Sequence, residues 1–94
     1  MLNLGSDAVS IKLEWLEPEQ CKLVKDLAKL HKYECRSVPS HRGQPQLNLT
    51  VTVRLHSWFA SSQAMGAFML RLCELVKLGE LHKTSLPEKF WGQC

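Results

Sequence analysis

The chain is predicted to be an α+β domain: a three-stranded antiparallel or mixed sheet with two helices on one face, in the order β-α-β-β-α. Three observations carry the prediction. Residues 47–55 alternate, with Leu47, Leu49, Val51, Val53 and Leu55 set against Asn48, Thr50, Thr52 and Arg54. That is the period of a strand with one buried face. Residues 61–78 place Met65, Phe68, Met69, Leu72, Cys73, Leu75 and Val76 on one helical arc of about 160°. Each strand has only one apolar face, so both helices must cover the same side of the sheet.

The first strand spans 8–16. Val9, Ile11, Leu13 and Trp15 point to the core, and Ser10, Lys12 and Glu14 point away. Glu17-Pro18-Glu19 then starts a helix, because proline lacks only an N–H that would go unpaired there and the acids suit the helix dipole. This helix runs over 18–31. Leu23, Val24, Leu27, Ala28 and Leu30 share its buried arc, with His31 close to the middle. Lys22, Lys25, Lys29 and Lys32 form a separate stripe, partly offset by Asp26.

A second strand covers 33–38, with Tyr33 and Cys35 on one face. The turn-rich segment 39–45 is a hairpin loop leading into 47–55. Ser57 or Ser61 caps the long helix. In the tail, Ser85 and Glu88 have capping-box spacing and Gly92 is a stop. Residues 80–94 are thus a C-terminal clasp, folding Phe90 and Trp91 onto the core, or else a docking tail. The longest strand is central, and the whole is a split βαβ, ferredoxin-like in topology but lacking a strand. Topology alone assigns no function.

Ninety-four residues are read as a single domain. The apolar share of 45% and charged share of 22% suit a globular protein rather than a disordered one. The net charge of +3 is concentrated in the middle of the chain, where Lys22, Lys25, Lys29, Lys32, Arg36, Arg42 and Arg54 face only Asp26 and Glu34. Cys21, Cys35, Cys73 and Cys94 make no C-x-x-C pair. They read as reduced thiols of a cytoplasmic protein, with Cys94 exposed. No signal-peptide pattern opens the chain, and no stretch is apolar enough to span a bilayer.

Chemistry-bearing patterns are few. The sheet's open face, expected to show Ser10, Lys12, Glu14, Glu34, Arg36, Asn48, Thr50, Thr52 and Arg54, offers no aromatic on which a base would stack. His31, Cys35 and Cys21 lack the paired spacing of a zinc site. His56-Ser57 has no acid placed to orient it, and there is no glycine-rich phosphate loop and no H-E-x-x-H. Cys21 lies near a helix N-terminus, which lowers a thiol pKa.

The expectation is therefore a non-enzymatic interaction module without cofactor or metal. It regulates or inhibits a larger protein or complex by docking, and an acidic partner surface would suit it. Leu70 and Leu78 stand among charges on the supposed wet side of the long helix. With Phe90 and Trp91 they are the candidate partner-binding residues, and a second copy of the chain is one candidate occupant. One alternative is a nucleic-acid-binding domain using the basic ridge Lys22, Lys25, Lys29, Lys32, Arg36 and Arg42. A second is a thiol-dependent enzyme using Cys21.

Overall fold

A computed structural model of the chain describes the backbone of residues 8–54 and 58–94, and their side chains except those of 54, 58–64 and 93. The elements are β1 (Ala8–Leu16), α1 (Pro18–Leu30), β2 (Glu34–Pro39), β3 (Leu47–Arg54) and α2 (Trp58–Lys77), followed by 3₁₀ turns at Lys83–Ser85 and Glu88–Gln93. The sheet is antiparallel throughout, in the order β1-β3-β2. This is the expected topology, with β3 in the middle, although β1 at 9 residues is longer than β3 at 8.

One face of the sheet is sealed. Leu49, Val51 and Val53 of β3 are buried, and Leu13 and Ile11 lie opposite the first two on β1. Onto this row pack Cys21, Val24, Leu27 and Ala28 of α1 and Phe68, Met69 and Leu72 of α2. Met65, Leu75 and Val76 complete the α2 stripe from its edges. Removing each large side chain from water contributes about 1.5–3 kcal/mol. Two contacts show that the helices run antiparallel. Gln20 Nε2 donates to the Glu80 carbonyl at 3.1 Å, and His31 stacks edge-on to Phe68 at 5.5 Å.

Helix ends follow their local chemistry. At the start of α1, Gln20 Oε1 accepts the Glu17 N–H at 2.9 Å, half of a capping box. Both helices end in a Schellman motif. In α2, Gly79 (φ 81°) takes the left-handed position, and the Glu80 N–H reaches the Leu75 carbonyl. In α1 the same position is held by Lys32 (φ 62°), with the Tyr33 N–H donating to Ala28. A side chain at that backbone angle costs about 1 kcal/mol or more.

Several expectations are corrected. Trp15 does not face the core. Register shifts between Leu13 and Leu16, so Glu14 and Trp15 both fall opposite Asn48. Trp15 has a left-handed backbone (φ 58°) and is 52% exposed, while Leu16 takes the core position. Asn48 Oδ1 accepts the Trp15 N–H at 3.1 Å and also the Ser40 hydroxyl, joining the bulge to the hairpin loop. Leu30 leaves the buried arc of α1, whereas Cys21, read at or near that face, is buried in it. Helix α2 begins at Trp58, so Ser61 is inside it and caps nothing. Ser57, Leu55 and His56 lie outside the described residues.

The tail is a clasp. Leu81, Ser85 and Leu86 are buried, and Phe90 and Trp91 pack on the core. The Trp91 indole donates to the Leu86 carbonyl at 2.9 Å. Ser85 is no N-cap, since Pro87 precedes the last 3₁₀ turn. Cys94 is neither free nor fully exposed: it is disulfide-bonded to Cys73 in α2. Only Cys21 and Cys35 are free thiols.

Two predictions follow from these ties. The disulfide closes a loop of sequence separation 21, so reduction should lower unfolding free energy by about 3 kcal/mol. Urea titration of the wild type with and without reductant measures this, and Cys73→Ser should show no further loss on reduction. Asn48→Leu removes the acceptor shared by Trp15 and Ser40. It should cost about 1–2 kcal/mol in the same titration; an unchanged midpoint would mean that water replaces it freely.

Candidate interaction surfaces

Helix α1 has two contrasting flanks. On the side toward α2, Leu23, Leu27 and Leu30 line a groove of about 190 Å³ with Leu75, Arg71 and Asp26. Leu30 is 82% exposed at one end of this helical layer. Leu70 and Leu78 on α2 are 61% and 73% exposed, so the two leucines that break the helical pattern do face water. They lie on either side of Glu74, which pairs with Arg71 at 2.9 Å. Contiguous apolar patches mark surfaces that meet another molecule, whereas single exposed leucines are ordinary.

The opposite flank carries the lysines. Lys22, Lys25 and Lys29 border a cleft of about 460 Å³ between α1 and β2, together with Pro18, Cys21, Tyr33, Cys35 and Leu47. The remaining members of the basic ridge are elsewhere. Lys32 is the left-handed residue that ends α1. Arg36 lies opposite Thr50 on the open face, one residue out of phase with Cys35 and Val51 of the core face. The sheet therefore separates Arg36 from the lysines. Arg42 is at the tip of the hairpin loop. Six basic residues adjacent in sequence thus do not make one surface.

The open face differs from expectation in one respect. It does carry an aromatic at one end, since Trp15 is displaced outward beside Asn48, whose strand partner Val38 is also exposed. Alternation alone hides this. The signal present in the sequence is the Trp15-Leu16 doublet, two large apolar neighbours of which only one can take the core position. Phe90 and Trp91, by contrast, are partly buried against the core.

Burial shifts the two thiols and Tyr33, all in the lining of the cleft between α1 and β2. Burial pushes the Cys21 thiol up, with nearby Lys25 pulling it partly back. The direction is opposite to that expected for a cysteine at a helix start. Cys35 is also pushed up by burial, against the pull of Lys25 and with a small upward contribution from Cys21. Burial likewise raises Tyr33, whose hydroxyl is enclosed without a hydrogen-bond partner among the described residues. The Tyr33 ring is fixed by stacking on His31 at 5.4 Å and by an edge contact with Phe68 at 5.3 Å. Among the described residues no group of three or more His, Cys, Asp and Glu side chains could hold a metal ion. Among them, too, no helix is long and apolar enough to cross a membrane.

Raised thiol pKa values make stability fall in alkali. The native state keeps these thiols neutral, so their contribution is fully present below the unfolded thiol pKa of about 8.5. It is lost as pH climbs toward the higher native values, because the unfolded chain then releases protons that the folded chain retains. The melting temperature should therefore drop more steeply above about pH 8.5 in the wild type than in a Cys21→Ala/Cys35→Ala variant. Parallel pH profiles would remove burial of the thiols as the cause.

Compared with protein-family models, curated proteins and solved structures, the chain matches none.

Proposed function

We propose that this protein is a non-enzymatic interaction module that regulates or inhibits a larger protein by docking through its helical layer. The observation that carries the reading is the exposure of Leu30, Leu70 and Leu78 on that layer, beside the groove between α1 and α2. Isolated exposed leucines are ordinary. Leu30 lines the groove between α1 and α2, Leu70 and Leu78 add exposed apolar surface on α2, and together they would supply the core of a small interface with the Arg71–Glu74 pair at its rim. The raised thiol of Cys21 speaks against a nucleophilic role and supports a non-enzymatic reading. The nucleic-acid alternative keeps Lys22, Lys25 and Lys29 on one flank of α1, while Arg36 is on the other face of the sheet. The Cys73–Cys94 bond weighs against the cytoplasmic setting expected from reduced thiols and the lack of a signal-peptide pattern, since such a bond persists best in an oxidising compartment.

The test is affinity capture from native lysate, with and without nuclease and at raised salt, using wild type, Leu70→Asp and Leu78→Asp. Both variants alter exposed positions and should keep the wild-type circular dichroism. A bound protein should survive nuclease and salt, and the Asp variants should retain at least about tenfold less of it, a difference of roughly 1.4 kcal/mol. Capture that collapses with salt or nuclease, or that ignores both Asp substitutions, overturns the reading. Sedimentation at about 100 μM separates self-docking, since even weak interfaces populate there.

A further inference from the structure

The cleft on the other flank of α1 shares only Asp26 with the leucine groove. We propose that it binds a small organic anion, a carboxylate head on an apolar body. Lys22, Lys25 and Lys29 follow one another along a single flank of α1 and all line the cleft. None of the three has an ion-pair partner among the described residues, and Asp26 is the one acid in the lining. Neighbouring like charges on a helix repel. An anion seated between them relieves that repulsion and gains attraction from all three. The cleft is also more than a charged patch. Pro18, Cys21, Tyr33, Cys35 and Leu47 give it an apolar part beside the charged one, and about 460 Å³ lies within the usual range of small-molecule sites.

The lining argues for an amphiphilic ligand rather than a bare ion. Free phosphate would satisfy the lysines but leave the apolar lining wet. An uncharged aromatic would cover the lining but leave the charges unrelieved. A carboxylate attached to a ring or short chain meets both demands. The head lies toward the lysines, and the body lies against Leu47 and the half-buried Cys35.

The site is tested by titrating ¹⁵N-labelled protein with benzoate, benzamide and inorganic phosphate, and reading the amides of residues 21–35 and 47. Benzoate should give saturable shifts centred on those residues. Benzamide and phosphate should bind at least about tenfold more weakly, and so should benzoate to Lys25→Glu/Lys29→Glu. Benzoate should also slow alkylation of Cys35 by neutral iodoacetamide, a readout that does not depend on the charge-reversed variant folding. Leu70→Asp should bind benzoate like the wild type, which separates failure here from failure of the docking reading. Shifts that do not saturate, that scatter over all lysines, that phosphate reproduces at equal affinity, or that leave Cys35 alkylation unchanged overturn the proposal.

Discussion

The structure depends on the single apolar face of β3. Leu49, Val51 and Val53 are buried, while Asn48, Thr50 and Thr52 on the reverse face are only partly covered. A central strand of this kind allows cover on one side only. Both helices must share that side, and they fit by lying antiparallel. A one-residue slip of β3 against its neighbours would turn its core row outward. The Asn48 side chain opposes such a slip, because it bonds the Trp15 N–H and the Ser40 hydroxyl from opposite flanks of the strand.

That face and the helical stripes are period-based features, and period was legible. Strand order, the shared side of the helices, the α2 stripe and the start of α1 at Pro18 all follow from spacing and local capping. What was illegible depended on choices between near-equals. Trp15 and Leu16 compete for one core position, and the bulge resolves the competition for Leu16. Leu30 is at the last turn of α1, where the helix ends before its side chain can be covered. The Cys73–Cys94 pairing is a tertiary event that spacing does not encode. The tail's apparent capping box fails because Ser85 itself is buried, so its backbone serves a tighter 3₁₀ turn.

The candidate surfaces divide along the same lines. Leu70 and Leu78 were legible as breaks in a helical stripe, and their exposure needs nothing but that period. The lysines were legible as a stripe, but their setting was not, since it depends on β2 closing the opposite wall of the cleft. Arg36 was grouped with them by proximity in sequence. A strand sends adjacent residues to opposite faces, so Arg36 and the lysines could share a surface only if the sheet were absent.

The cysteine behaviour says something about the cleft that geometry alone does not. Lys25 pulls both Cys21 and Cys35 toward the thiolate, and burial pushes them the other way; burial is the larger effect in each case. A cation beside a well-hydrated thiol would instead lower its pKa. Both thiols therefore stay protonated at neutral pH and cancel none of the positive charge of the lysines beside them. Lysines over a lining that stays uncharged at neutral pH therefore act together, although no one of them is individually remarkable as a surface residue.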